Sequence, residues 1–143
     1  MLQIVPRQDK DREKEICRAV ADADDNSRVL HMTDGAEELG YVVVSLRETV
    51  LFIHEFCVNG KTDFAAEKPG MEEIFILDTL MRSAASFGET NGADHIKTTF
   101  PDFHSFFKLR KFDVTDEYAE TPMSTIVHYE YTKNRRQSSA VFV

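Results

Sequence analysis

Two adjacent side chains, His54 and Glu55, are the candidates for acid–base chemistry in this chain. They interrupt an apolar run, TVLFIHEFCV, at residues 49–58. An apolar run of this kind predicts a central strand that is buried on both faces. Burial would raise the pKa of Glu55 toward the range of a general base. The alternative is that one of the two faces a polar rim or hydrogen-bonds within the sheet.

Side-chain alternation along this predicted strand sets the expected directions of its residues. His54 and Glu55 are expected to point to opposite faces. The apolar residues divide in the same way. One face is expected to carry Leu51, Ile53 and Cys57, and the opposite face Phe52, Phe56 and Val58.

Other sequence motifs argue against several classes of chemistry. Gly60-Lys61-Thr62 resembles the end of a phosphate-binding loop, but the preceding glycine is missing and Pro69 delays the next helix. The chain has no GxGxxG and no GxSxG motif. Its five histidines are scattered singly, so no metal site is expected. For Cys17 and Cys57, free thiols in a reducing compartment are favoured over a disulfide, which the sequence does not exclude.

Length and charge limit the classes of partner. The 143 residues predict one domain over 1–132, followed by a tail or extra edge strand over 133–143. The net charge of −8 argues against nucleic acid and against anionic membrane surfaces. No signal peptide and no bilayer-spanning run is visible, so we expect a cytoplasmic protein.

Periodicity predicts an alternating α/β order, in which hydrophobic spacings of three and four mark helices and short apolar runs mark strands. The predicted strands are Leu2–Val5, Arg28–Met32, Leu39–Leu46, Val50–Val58, Ala93–Phe100, Phe112–Tyr118 and Ser124–Tyr131, with a turn around Thr121-Pro122 between the last two. The predicted helices are Asp9–Ala23, Met71–Phe87 and Asp102–Lys111.

Two partial motifs and this element order resemble the GNAT superfamily of acetyl-CoA-dependent N-acetyltransferases. The segment EKPGME at 67–72 is similar to the family pattern Q/R-x-x-G-x-G/A, with Gly70 at the first glycine. The segment FFKLRKF at 106–112 is similar to the pattern L-Y-x-x-x-G-F. The resemblance covers Leu2–Tyr131 and implies an α/β fold with a mixed, splayed central sheet flanked by helices.

The resemblance also implies a site for acetyl-CoA as co-substrate. Pantetheine would pair with the backbone of Phe56, Cys57 and Val58 in a gap between two splayed strands. The pyrophosphate would lie at the start of the long helix, and Phe107 would lie where many family members place the tyrosine that protonates the leaving thiolate. The cofactor-binding residues implied at the helix start are Gly70, Met71, Glu72 and Glu73.

In an acetyltransferase of this kind, Glu55 or His54 would deprotonate an amine, either a small molecule or a peptide. Four residues depart from the family pattern, namely Glu67, Glu72, Phe107 and Lys111. A carboxylate beside a phosphate is repulsive, and phenylalanine has no proton to give. Two alternatives therefore stay open, a catalytically reduced GNAT-like domain that binds a ligand or partner, and an unrelated α+β interaction domain.

The segment 133–143 carries a basic stretch followed by the apolar residues Ala140-Val141-Phe142-Val143. One interpretation is a fraying terminus. The other is an edge strand, within the sheet or across a two-fold axis, which would bury the apolar residues and cover an open sheet edge. On the second interpretation we expect a homodimer to which the tail contributes.

Overall fold

The computed structural model describes residues 2–20, 23–24, 26–62, 64, 69–99, 104–115 and 117–126. Its elements, in chain order, are β1 (Leu2–Pro6), α1 (Lys10–Arg18), β2 (Arg28–Asp34), β3 (Glu37–Arg47), β4 (Val50–Val58), α2 (Met71–Thr90), β5 (His95–Thr98), α3 (His104–Leu109), β6 (Asp113–Val114), β7 (Ala119–Pro122) and a 3-10 turn (Met123–Thr125).

The described strands form one seven-stranded mixed sheet in the order β1-β2-β3-β4-β5-β7-β6. All neighbouring pairs are antiparallel except β4 and β5, which are parallel and are connected through α2. Strand β4 spans the predicted residues, and it lies in the middle of the sheet. The predicted α/β fold with a mixed sheet flanked by helices is confirmed.

The two faces of the sheet carry core layers of unequal size. The larger layer lies under α2 and α3 and includes the fully buried Leu77, Leu80 and Phe107. The smaller layer lies under α1 and has four buried members, Ile16, Val20, Val29 and Val43. The alternation along β3 divides its residues between the two layers, because Val42 and Val44 join the larger one and Val43 joins the smaller one.

Helix α1 is shorter than predicted. Its start agrees with the sequence, because Asp9 is the N-cap and its side chain accepts a hydrogen bond from the Arg12 N–H (3.2 Å). Its end comes at Arg18 instead of Ala23, and the next residues form tight turns in which Ala19 N–H and Val20 N–H donate to Ile16 and Cys17 carbonyls. The Asp24–Ser27 turn that follows is fixed by the Ser27 hydroxyl, which accepts from Asp24 N–H (2.8 Å).

The last part of the sheet departs from the prediction. Strand β6 has two residues instead of seven, because Thr115 turns the chain by accepting the N–H groups of Glu117 and Tyr118 on its hydroxyl. Strand β7 then occupies Ala119–Pro122, so the predicted turn around Thr121-Pro122 is wrong. Residues 124–126 belong to a 3-10 turn and its cap, and the rest of the predicted strand Ser124–Tyr131 lies outside the described residues.

Predicted boundaries elsewhere differ by a few residues. Helix α2 continues three residues past Phe87, because Gly88 is accommodated within it against Leu51 and the chain turns only at Gly92. The strand predicted over Ala93–Phe100 is confirmed as β5 over four residues, with Phe100 outside the description. The segment 133–143 also lies outside it, so the tail and the domain boundary stay predictions.

Candidate functional site

The site begins where β4 loses its parallel neighbour. Pairing with β5 runs from Val50↔His95 to Ile53↔Thr98, whereas pairing with β3 continues to Gly40↔Val58. Within the described part of the chain, no β5 residue pairs with the end of β4 beyond Ile53. This is the splayed arrangement that the family resemblance implies, with Phe56 and Cys57 at the edge of the gap.

A β-bulge in β4 lies beside this gap. Val43 pairs with Glu55 and Val44 pairs with Ile53, so His54 is the extra residue between two regular pairs. The bulge reverses the alternation of the strand. Phe56 and Val58 therefore share the α2 face with Leu51 and Ile53.

The predicted division of the strand is wrong for this reason. Phe56 and Val58 do not lie opposite Leu51 and Ile53, and Cys57 faces the α1 side with Tyr41. His54 and Glu55 do not point to opposite faces either. His54 contacts Ser45, and Glu55 pairs with Val43, which places both side chains on the α1 face.

The Glu55 carboxyl is half buried. Among the residues that the structure describes, no hydrogen bond or ion pair reaches its carboxylate. Burial raises its pKa above the ordinary value for a glutamate. A carboxyl with these properties accepts a proton more readily at neutral pH than an exposed one.

Tyr41 and Cys57 flank Glu55 on the same face. They are directly opposite each other on β3 and β4, and their side chains are hydrogen-bonded. Burial raises the pKa of both groups, so the phenol and the thiol are neutral near pH 7. The sequence does not indicate Tyr41, because its position opposite Cys57 depends on the bulge, which shifts the register of the hairpin by one residue.

His54 contacts the buried Ser45 hydroxyl, which is itself hydrogen-bonded to the buried Ser27 hydroxyl. Its Nε2 lies 2.8 Å from the Ser45 Oγ, which lies 2.7 Å from the Ser27 Oγ. Its ring also stacks with Phe52 at a centroid distance of 6.4 Å. The signal in the sequence is Ser45 within the apolar stretch VVVSL, a polar residue whose side chain needs a partner when buried.

The start of α2 is capped by a carboxylate of the helix itself. Glu73 Oε1 accepts from the Gly70 N–H (3.2 Å) and from the Lys61 Nζ (3.1 Å), and the hydrogen bond from Lys61 lowers the pKa of Glu73. Met71 and Glu72 are exposed, and space is open around Gly70. Of the residues predicted at this end, Glu67 lies outside the described part of the chain.

The end of β4 also contacts this loop. Val58 N–H donates to the Lys61 carbonyl, and Lys61 N–H donates to the Val58 carbonyl, both at 2.9 Å. A pantetheine partner at Val58 would therefore need this turn to open, whereas Phe56 and Cys57 lie outside it.

Phe107 lies in an aromatic cluster of the larger core layer. Its ring centroid is 4.9 Å from that of Phe112, 5.4 Å from that of Phe106 and 6.3 Å from that of Phe56. The side chain is fully buried. The structure thus brings Phe107 next to Phe56 on β4, and both are candidate cofactor residues.

Metal and disulfide chemistry receive no support from the described residues. No group of three or more His, Cys, Asp or Glu side chains among them could hold a metal ion. Cys17 and Cys57 are both free thiols. No helix in the described ranges is long and apolar enough to cross a membrane.

Comparison with solved structures identifies proteins of the same architecture. An acetyltransferase of the GNAT family from Desulfovibrio desulfuricans has a TM-score of 0.60 and 7% identity, over 86% of this chain and 99% of its own. The ribosomal-protein-S18-alanine N-acetyltransferase from Escherichia coli has a TM-score of 0.58 and 10% identity, over 92% and 99%. An acetyltransferase from Bacillus subtilis in complex with CoA has a TM-score of 0.50 and 15% identity, over 84% and 96%.

Comparison of sequences gives no match. No family model and no curated protein matches the chain. Identities of 7–15% show a shared fold and leave substrate and activity open. Together with the splayed sheet and its element order, these similarities establish that the chain has the GNAT acetyltransferase fold.

Proposed function

We propose that this protein transfers an acetyl group from acetyl-CoA to an amine, with Glu55 as the general base. The observation that supports the proposal most strongly is the Glu55 carboxyl on β4, beside the gap between β4 and β5. It is half buried and has no hydrogen-bond or ion-pair partner among the described residues. In this reaction the carboxylate takes a proton from the ammonium group of the acceptor. The neutral nitrogen then forms a C–N bond to the acetyl carbonyl carbon and the C–S bond breaks. The thiolate of CoA leaves and takes the second proton, which the nitrogen releases as it becomes an amide.

The chain's own residues fit acetyl-CoA in part. The open space around Gly70 leaves room for a phosphate beside the helix N-terminus, and Phe56 and Cys57 lie along the gap. Glu73 already holds the Gly70 N–H, and Glu72 adds an exposed negative charge. We therefore expect weak binding of CoA, and the Lys61 ammonium at this end is already paired with Glu73.

A second candidate function is a GNAT-fold module that binds a ligand or partner without catalysis. The fully buried Phe107 favours it, because the position of the family tyrosine holds a ring without a hydroxyl inside an aromatic cluster. His54 is the alternative base, although its Nε2 is already engaged with Ser45. A homodimer and a cytoplasmic location stay predictions from the sequence.

Release of the CoA thiol in the presence of a panel of primary amines tests the proposal. Glu55→Gln should lower turnover by about 100-fold or more, since a general base typically contributes that factor, and should leave the affinity for CoA unchanged. His54→Gln is the matched variant on the neighbouring residue and should have a smaller effect. CoA binding without turnover for any amine would support the binding module instead.

A thermal-shift measurement separates the remaining cases. Acetyl-CoA should raise the midpoint of unfolding, because a ligand that binds only the native state stabilises it. Turnover that survives both substitutions would mean that water or another residue removes the proton. No shift and no turnover would exclude acetyl transfer and would leave only a module that binds a different ligand or partner.

A further inference from the structure

An uncovered apolar groove runs between the edge strand β1 and helix α2. It has a volume of about 710 Å³, and its floor includes the buried core residues Leu30 and Met32. The side chains of Leu2 and Ile4 form one wall, and Phe87 closes part of the other. Leu2 is 51% exposed, so this end of the sheet presents apolar surface that nothing in the described ranges covers.

The wall of the groove on helix α2 is formed mostly by small hydroxyl side chains. Thr79, Ser83 and Ser86 line the groove at spacings of four and three, which places them on one stripe of the helix. Phe75 lies four residues before Thr79 on the same stripe and is 56% exposed. The groove and Phe75 together therefore form one elongated surface parallel to β1, of a shape that suits an extended strand.

Strand β1 offers backbone groups along this groove. It is the edge of the described sheet, and Arg7 N–H donates to the Val29 carbonyl of β2 (2.9 Å). Because alternate residues of an antiparallel strand bond the same neighbour, the N–H groups of Gln3 and Val5 point to β2. Those of Leu2 and Ile4 point to the open edge.

We propose that the segment Ala140–Val143 of the same chain occupies this groove and pairs with β1 as an added strand. The segment is short and apolar, without a charged side chain and with one aromatic side chain, Phe142. Strand addition to an exposed edge combines backbone hydrogen bonds with side chains in alternate pockets. The inference does not depend on acetyl transfer.

The course of the chain brings this segment within reach. The described residues end at Ile126, close to Met123 in the chain. Met123 N–H donates to the Asp94 carbonyl beside the start of β5 (2.8 Å). A strand added outside β1 lies five strand spacings from β5, or about 24 Å. The thirteen residues 127–139 can span about 43 Å when extended, so a connection within one chain is long enough.

The direction of the added strand also follows from the fold. Asp94 N–H donates to the Thr49 carbonyl (2.8 Å), which places the start of β5 at the same end of the sheet as the β3–β4 turn. Pro6, at the end of β1, lies toward that end too, as the β1–β2 and β2–β3 registers show. A segment that enters there runs from Pro6 toward Leu2, antiparallel to β1.

Charge supports the same path. The connecting segment carries Lys133, Arg135 and Arg136. On the proposed path it would pass the carboxyl end of α2, where Glu89 and Asp94 lie and where the last turn contains no basic residue. A helix carboxyl end carries a partial negative charge that favours cations, so the basic stretch and this end are complementary.

Hydrogen exchange of single amides in the full chain tests the proposal. Phe142→Asp places a carboxylate in the groove, and Ser139→Asp, just outside the apolar segment, adds the same charge as a control. The Ile4 amide should exchange about tenfold or more faster in Phe142→Asp than in the wild type and in Ser139→Asp. The Val5 amide, which bonds β2, should exchange at one rate in all three proteins.

A variant that ends at Gln137 gives a second test without an added charge, and again the Ile4 amide alone should lose protection. Hydrogen exchange at several protein concentrations should show that protection of Ile4 does not depend on concentration, and sedimentation of the same samples gives the oligomeric state. Equal exchange of Ile4 in all the proteins would overturn the proposal. Protection that disappears on dilution together with a dimer would overturn it as well, because the occupant would then be a second copy.

Discussion

The Glu55 carboxyl is half buried and has no hydrogen-bond or ion-pair partner among the described residues. Such a group is costly to ionise. Its pKa in the folded protein is raised above the value in the unfolded chain. Between the two values the folded state binds the proton more tightly, so this group contributes stability at low pH. That contribution is lost as the pH rises through the folded pKa.

We therefore predict that Glu55→Gln stabilises the protein at neutral pH. The amide mimics the protonated carboxyl, so the variant and the wild type should unfold at the same urea concentration below about pH 4.5. The difference should grow in favour of Glu55→Gln as the pH rises. The exposed Glu37→Gln serves as the control and should follow the wild type, and a difference that is constant with pH would mean that Glu55 is not the titrating group.

Lys111 stands at a left-handed backbone position. Its φ is 72°, and it follows helix α3, where Phe112 N–H donates back to the Phe107 carbonyl (3.1 Å). This hydrogen bond is typical of a helix end that favours glycine. The family pattern has glycine at this position, and the chain keeps the conformation with a lysine.

Lys111→Gly should accordingly raise the free energy of unfolding by about 1 kcal/mol, since a side chain in the left-handed region costs about that much. The exposed Lys108, within α3, is the matched control, and Lys108→Gly should lower stability by about 0.5–1 kcal/mol. Urea denaturation measures both. A loss of stability in Lys111→Gly would show that the lysine side chain makes a contact that outweighs its backbone strain.

At the scale of elements, the sequence predicted β4 over its full length because a nine-residue apolar run has few other interpretations. It did not predict the bulge, since one extra residue leaves no mark on hydrophobicity. That single residue decides which face Glu55, Phe56 and Cys57 occupy. The sequence therefore placed the candidate residues on the right strand, but their neighbours Tyr41 and Ser45 are seen only in the structure.

The short elements at the end of the sheet were harder to predict for a different reason. Hydrogen bonds from Glu117 and Tyr118 to the Thr115 hydroxyl stop β6 after two residues, although the sequence around them has strand propensity. Local side-chain bonds of this kind compete with sheet pairing. Propensity does not show which of the two prevails.

The start of α2 gives a prediction about CoA affinity. Glu72 is exposed beside the expected pyrophosphate position, and its charge should weaken binding by about 1 kcal/mol. Glu72→Gln should tighten CoA binding by about fivefold in titration calorimetry. Glu89→Gln removes the same charge from the last turn of the helix, about 26 Å away, where screening makes it ineffective.

Two results would contradict this placement of the phosphate site. Equal tightening by Glu72→Gln and Glu89→Gln would indicate a general effect of net charge. No change in Glu72→Gln, in a protein that already binds CoA tightly, would mean that the phosphates lie away from the start of α2.

At the scale of the whole molecule, the unequal core layers predict unequal local stability. Helix α1 is attached to the sheet by a layer of four buried residues and by Glu13, which accepts from the Val29 N–H (2.8 Å) and from the Arg28 Nε (3.0 Å). Helix α2 covers a much larger layer. Segments with few buried contacts open at a lower free energy than the rest of a domain.

Helix α1 lies on the same side of the sheet as Glu55, so its opening would change access to the candidate site. Ile16, buried in the small layer, and Leu80, buried in the large layer, make a matched pair for testing this. Replacing either by alanine should remove about 2–5 kcal/mol of packing. In Ile16→Ala, the α1 amides should exchange at least about 30-fold faster, the factor that corresponds to 2 kcal/mol, while the β3 and β4 amides change much less. In Leu80→Ala, exchange should accelerate across the sheet and α1 together.

If Ile16→Ala also accelerates the β3 amides to the same extent, then α1 and the sheet open as one unit, and access to Glu55 does not depend on local opening of the helix.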